Sequence, residues 1–257
     1  MPPGSSAPLH YSVHGRGAPL LLIHGLGSSG NDWAPQIPAF AAHHRVIAPD
    51  LRGHGRSPSP AAPWSMHAFA DDLLALLDDL GIGSAHVLGL SLGGGIAFQL
   101  AVQAPHRVRS LVIVNSGPEL LPRTLGEHLA IWKRYAIIHL LGMRRMGAAL
   151  APRLFPEAPE LQRRFVERFA TNDKRAYLAA LRAFVGWSVT RQLGAIRCPA
   201  LVVAADQDYT PVAAKQAYVG LMPAAQLAVV ADSRHALPME KPAAFNACVL
   251  PFLRSVA

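Results

Sequence analysis

Ser91 sits at the centre of Gly89-Leu90-Ser91-Leu92-Gly93, with Gly94 and Gly95 directly behind. A serine hydroxyl is a weak nucleophile until a base takes its proton. It is useful only where a turn lifts it clear of its neighbours. Upstream, residues 84–88 read as a short apolar strand, and downstream residues 96–101 have the spacing of a buried helix. A strand-to-helix turn this sharp strains the backbone at Ser91 and leaves no room for a side chain at 89 or 93. The hydroxyl then stands free, and the N–H of Leu92, at the helix N-terminus, points to where an oxyanion could form. The bland alternative is a glycine-softened turn opening a tightly packed helix. The choice depends on finding a base and an acid elsewhere.

The expected base is His235, in a loop that follows the last apolar run. His24 and His54 lie early and beside glycines, and are expected to shape their loops by bonding backbone groups. The loop after the preceding strand offers two acids, Asp206 and Asp208. Asp208 lies deeper, where it can reach sideways to the histidine loop, and is the expected orienting acid. Asp206 is expected to bond loop N–H groups. The other place for an acid, after the strand at 108–114, holds Asn115, which cannot stabilise an imidazolium as an anion would. The order Ser, Asp, His is the one expected for a nucleophile on a G-x-S-x-G elbow.

The elements that must position these groups alternate along the chain. Strands are expected at 9–13, 20–23, 45–48, 84–88, 108–114, 200–204 and 227–230. Asn31 or Asp32 is expected to cap a helix running through Phe40. Ser65 should cap another, to about Leu80, with Phe69, Leu73, Leu76 and Leu77 on one face and acids on the other. Thr210 and Pro211 read as the cap and first position of a helix. The last helix starts near Pro242, and Pro251 should bend or interrupt it. Such alternation makes an α/β protein with a largely parallel sheet, whose sites form where loops leave the C-terminal ends of strands. Gly25-Leu26, His54, Ser91, Asn115, Asp208 and His235 all fall there. From 118 to 190 no strand-like run occurs, and helical stretches are separated by Pro122, Pro152, Pro156 and Pro159. Residues 1–117 and 191–257 are therefore expected to form a core and 118–190 a helical cap.

Four landmarks in order carry a family resemblance: His24-Gly25, Asp50-Leu51-Arg52-Gly53-His54-Gly55-Arg56-Ser57, Gly89-Leu90-Ser91-Leu92-Gly93-Gly94, and His235 with Glu240 and Pro242. The chain resembles serine hydrolases of the α/β-hydrolase superfamily over nearly its whole length. The resemblance implies the α/β-hydrolase fold and acyl transfer through Ser91, His235 and Asp208. It implies an oxyanion hole from the backbone N–H groups of Leu26 and Leu92, a structural role for residues 50–57, and no metal or organic cofactor. The family's Gly-x-x-Asp acid motif stands here as Ala205-Asp206-Gln207-Asp208. Ser91 stands where haloalkane dehalogenases and epoxide hydrolases carry aspartate, and Ala236 where carbon–carbon bond hydrolases usually carry Trp. The elbow is similar to those of carboxylesterases, enol-lactonases and pimeloyl-carrier esterases. The implied activity is hydrolysis of carboxylic esters of small to medium acyl groups, with a thioesterase or lactonase as the second reading. A catalytically silent ligand-binding protein is the rival from another class, but it would have no need for a strained serine.

A chain of 257 residues, 51% hydrophobic and 16% charged, can bury a large core and is not disordered. Cys198 and Cys248 show no metal spacing and read as small core residues. The net charge is +8, and residues 118–190 hold twelve Lys or Arg against six Asp or Glu, with eight of the eighteen aromatics. Most of these aromatics are expected to pack on the core with the arginines solvated; the sharper alternative is an apolar acyl pocket beneath the cap, with a basic rim that attracts an anionic or carrier-bound acyl substrate. No recognition motif accompanies the charge, so nucleic acid is not an expected partner. Residues 131–155 are apolar and basic enough to consider membrane contact, which is the weaker reading. Residues 1–6 lack a signal-peptide pattern and no segment is long enough to span a bilayer, so a cytoplasmic protein is expected. Nothing in the sequence points to a particular oligomeric state.

Overall fold

The computed structural model describes residues 8–61 and 63–256; the expectation made for residues 1–6 falls outside them. The apolar runs become seven strands: β1 (Tyr11–His14), β2 (Ala18–Ile23), β3 (His44–Pro49), β4 (Ala85–Leu90), β5 (Val108–Val114), β6 (Ala200–Ala205) and β7 (Ala225–Val230). They form one sheet in the order β1-β3-β2-β4-β5-β6-β7. β1 runs antiparallel to β3, and every other neighbouring pair is parallel. The helices are α1 (Ile37–Ala41), α2 (Met66–Asp79), α3 (Leu92–Gln103), α4 (Leu125–Leu154), α5 (Pro159–Ala170), α6 (Lys174–Phe184), α7 (Val212–Val219), α8 (Leu237–Glu240) and α9 (Pro242–Ser255).

Side chains alternate across a strand, so each central strand feeds two apolar layers. Leu21, Ile23, Val87, Ile113 and Val202 pack with α2 and α3, whereas Leu20, Leu22, Leu88, Val112 and Val203 pack with Phe40 of α1 and Phe245 and Val249 of α9. Each such side chain taken out of water contributes about 1.5–3 kcal/mol, which holds the sheet rigid beneath its loops. Every residue from Leu92 to Ala101 is buried, so α3 is clamped all round and fixes the residue in front of it, Ser91.

Several local expectations needed correction. No helix runs from Asn31 or Asp32 to Phe40: a single 3₁₀ turn, Gly30–Trp33, precedes the short α1. Asp32 is instead paired with Arg168 at 2.9 Å. Helix α2 begins at a Ser65 cap that accepts from Ala68 N–H at 3.1 Å, but Asp72 does not lie on a solvated face. It is 3% exposed in a forked ion pair with the Arg52 guanidinium. The cap of α7 is Pro211 rather than Thr210, because the Thr210 hydroxyl is turned to the Asp208 carboxylate. Helix α9 continues through Pro251 to Ser255. That proline removes one N–H near the end of the helix, and the burial of Val249, Phe252 and Leu253 on either side keeps the turn in place.

Between β5 and β6, α4, α5 and α6 share an apolar cluster that includes Ile138, Met146, Phe155, Phe165, Phe169, Tyr177 and Leu181. It meets the rest of the molecule at Ala236 and Leu26. Helix α4 continues through Pro152, and its break comes instead at Gly142, with φ 81° and ψ 177°. Nor do all the aromatics pack inward. Phe155, Phe165, Phe169 and Tyr177 are buried, but Trp132 is 70% exposed and lies with exposed Leu125 and Leu129 on one stripe of α4. Among the described residues no helix is long and apolar enough to cross a membrane.

Candidate active site

Backbone strain marks the turn between β4 and α3. Ser91 has φ 54° and ψ −117°, a conformation that disfavours any L-residue by about 1–3 kcal/mol. Crowding explains the flanking glycines. A Cβ at Gly89 would lie 2.1 Å from Gly93 O, and one at Gly93 would lie 2.2 Å from Ile23 O. The backbone of Ser91 is tied on both sides: its N–H donates to Val114 O at 3.0 Å, and its carbonyl accepts from the Ser116 hydroxyl at 2.7 Å. Its own hydroxyl makes no hydrogen bond with the described residues.

Ser91, Asp208 and His235 line one cavity of about 670 Å³, together with Leu26 and Leu92. The His235 Nδ1–H donates to Asp208 Oδ1 at 2.6 Å. An ionised carboxylate only accepts, so this bond places the proton on Nδ1 and leaves Nε2, on the opposite edge of the ring, able to take another. Burial pushes the Asp208 carboxyl up, but hydrogen bonds and charge from His235 and Lys215 outweigh it and hold the group down to about 2. Asp208 is therefore ionised throughout the neutral range.

Asp206 does what its position suggested. Its carboxylate accepts from the N–H groups of Asp232 and Ser233 at 2.9 and 3.0 Å, which ties the loop after β6 to the loop that carries His235. These bonds lower its pKa. The early histidines also bind backbone. His24 Nδ1–H donates to Gly25 O at 2.8 Å while its Nε2 accepts from Leu51 N–H at 2.9 Å, and burial holds its pKa well below the usual value. The His54 ring nitrogen bonds Arg52 O at 3.0 Å. Within the same loop, the Asp50 carboxylate accepts from Gly30 and Arg56 N–H at 2.7 and 2.9 Å. The N–H groups of Leu26 and Leu92 donate to no described residue, so both remain available to an acceptor in the cavity.

The roles of four residues were not read from the sequence. Lys215 places Nζ 2.7 Å from Asp208 Oδ2. The Tyr209 ring stacks on the His235 imidazole, centroids 4.4 Å apart and planes 25° apart. Asn115, at the end of β5, accepts from Ala205 N–H and donates to the carbonyls of Arg234 and His235. Glu240 accepts from Arg234 N–H at 2.6 Å and pairs with its guanidinium at 2.8 Å. Only Asn115 and Glu240 carried a signal, as polar residues at or near strand-end loops.

Residues 18–242 match the family described as the alpha/beta hydrolase fold. The chain belongs to the alpha/beta hydrolase family. This hydrolase is 34% identical, over 97% of its length and 96% of the other's, to a protein of Azorhizobium caulinodans named as the carbamate hydrolase RutD. Its fold superposes on the enol-lactonase from Burkholderia xenovorans LB400 with a TM-score of 0.88 at 27% identity, covering 96% of each chain. It superposes equally well, TM-score 0.88 at 28% identity, on a thermophilic esterase from Thermogutta terrifontis, covering 96% of this chain and 93% of that one. In this alpha/beta hydrolase the cavity opens at the C-terminal strand ends, the place where open α/β sheets collect their chemistry.

Proposed function

We propose that this hydrolase cleaves carboxylic esters of small to medium acyl groups, cyclic esters included, through an acyl-enzyme at Ser91. The observation that carries the reading is the 2.6 Å bond from His235 Nδ1 to Asp208 Oδ1, in the cavity that holds the strained Ser91. Ser91 Oγ attacks the ester carbonyl carbon as His235 Nε2 takes its proton. A rotation of the unbonded hydroxyl brings the two together when substrate enters. The N–H groups of Leu26 and Leu92 receive the developing oxyanion, each worth roughly 3 kcal/mol on the scale of known oxyanion donors. Asp208 stabilises the imidazolium. The tetrahedral intermediate collapses, the C–O bond to the alcohol breaks, and His235 returns the proton to the departing oxygen. Water then attacks the acyl-serine with His235 again as base, which releases the acid and restores the hydroxyl. Helices α4 to α6 act as a cap, supplying apolar wall through Leu150, Leu154, Phe165 and Phe169.

The test is incubation with a fluorophosphonate followed by peptide mapping. Labelling is expected at Ser91 and is lost in Ser91→Ala and His235→Ala. Labelling elsewhere, or none on folded protein, rejects the assignment. With p-nitrophenyl butyrate, Asp208→Asn should lower kcat/KM by about 10⁴-fold and Asp206→Asn far less. A larger loss from Asp206→Asn would transfer the role.

The 34% identity to a protein named as a carbamate hydrolase favours a second reading, in which the carbonyl attacked belongs to a carbamate. A p-nitrophenyl carbamate separates the two. An ester hydrolase gives one burst of p-nitrophenol and stalls as carbamoyl-serine, whereas a carbamate hydrolase turns over steadily.

A further inference from the structure

The cavity wall is mostly apolar, but among the described residues seven charged side chains reach it, four cationic and three anionic. Three pairs cancel. Arg168 meets Asp32 at 2.9 Å, Arg123 meets Glu119, and Lys215 meets Asp208 at 2.7 Å. Arg134, half-buried on α4, is left over: it forms no ion pair or hydrogen bond with the described residues. It shares the cavity wall with Ser91, Asp208, His235 and Tyr209, the ring stacked on His235. A guanidinium offers five donors in a planar fork, and a partly desolvated one with no partner favours a planar anion that fills the fork.

We propose that Arg134 is a carboxylate-binding residue, and that the substrates are esters or lactones carrying a second, ionised carboxyl group. This inference rests on the Ser91 hydrolase reading and narrows it. An apolar cavity with one uncompensated positive charge fits a molecule with an apolar body and one negative charge. Such a substrate is recognised at two points. The ester carbonyl lies between Ser91 and the free N–H groups of Leu26 and Leu92, and the carboxylate at Arg134.

The experiment compares mono-p-nitrophenyl glutarate with p-nitrophenyl pentanoate, which differ chiefly in the terminal carboxylate. The ratio of their kcat/KM values is measured for the unaltered protein, Arg134→Gln, Arg134→Lys and Arg163→Gln. Arg163 is an exposed arginine paired with Glu160 and absent from the cavity wall. The unaltered protein should prefer the glutarate. The ratio should fall by about tenfold to a hundredfold in Arg134→Gln, the range for a lost hydrogen bond to a charged group. It should fall less in Arg134→Lys and stay put in Arg163→Gln. A ratio that ignores Arg134→Gln, or falls equally in Arg163→Gln, overturns the site in favour of diffuse surface charge. A second readout needs no turnover. In a Ser91→Ala background, calorimetry should detect monomethyl glutarate more tightly than methyl pentanoate, and Arg134→Gln or Arg134→Lys should erode the difference. If Ser91→Ala leaves turnover of both esters intact, the hydrolase reading fails while this binding measurement still judges Arg134.

Discussion

Lys215 Nζ lies 2.7 Å from Asp208 Oδ2, and each of these side chains is only 1% exposed. The carboxylate is thus divided: Oδ1 receives the His235 N–H and Oδ2 the ammonium. The ammonium also donates to the carbonyl and hydroxyl oxygens of Thr210 at 2.9 and 2.7 Å, so all three of its protons find acceptors. Lys215 therefore fixes the rotation of the Asp208 carboxylate, and through it the imidazole plane.

Removing only one member of this buried pair should be severe. Lys215→Met is expected to destabilise by about 3–5 kcal/mol in urea unfolding, because it strands a buried carboxylate. Adding Asp208→Asn removes the stranded charge, so the double variant should be less destabilised than the two single effects summed. Additive effects would mean that the pair contributes nothing as a pair.

The low pKa of Asp208, about 2 against an unfolded value of about 3.9, makes a signed statement about acid stability. A depressed carboxylate contributes stability that is fully present above its unfolded pKa. That stability is lost as pH falls through the folded value. The contribution, about 2–3 kcal/mol, should be intact at pH 5 and disappear between about pH 4 and pH 2. Urea unfolding across that range should show a loss in the unaltered protein that exceeds the loss in Asp208→Asn by this amount. Parallel curves would show that Asp208 is not held in its ionised form by its neighbours.

Asn115 ties three separate stretches together. Its Oδ1 accepts from Ala205 N–H at 2.8 Å, and its Nδ2 donates to the Arg234 and His235 carbonyls at 3.1 and 3.0 Å. Asn115→Ala leaves the Ala205 N–H without a partner and should destabilise by about 1–3 kcal/mol. Because the bonds it loses are those that hold the His235 backbone, kcat should drop more than KM rises. A change confined to KM would assign Asn115 to substrate binding instead.

What could be read before any coordinates was what depends on neighbours in sequence. The elbow at Ser91 follows from sterics within five residues, and the sheet follows from apolar runs whose length and spacing are local. The separation of Asp206 from Asp208 was also legible, because depth in a loop decides which carboxylate meets backbone N–H groups and which reaches sideways. Lys215 and Tyr209 were not legible. A lysine on a helix is ordinarily solvated, and only the packing of α7 against the loop after β6 buries this one. Asn115 was dismissed for lacking charge, although its task is to hold backbone about 120 residues away. The kink of α4 was placed at prolines, whereas Gly142 adopts the left-handed conformation and Pro152 stays inside the helix.

The tightness of the elbow leads to a contrast between glycines of equal chemistry. Gly93→Ala would set a Cβ 2.2 Å from Ile23 O and 2.6 Å from His24 O, backbone atoms at the end of β2 and the start of the loop that carries Leu26. Neither can yield without moving β2 or α3, so destabilisation should reach or pass about 3 kcal/mol, the upper end of ordinary overpacking. Fluorophosphonate labelling should fall even in protein that still folds, since the shift moves Leu26 relative to Ser91. Gly83→Ala is the control: no described residue has an atom within 4 Å of its added Cβ. Its stability should stay within about 0.5 kcal/mol of the parent, with labelling unchanged. Equal behaviour of the two variants in thermal unfolding and labelling would remove the steric basis for the glycine at 93.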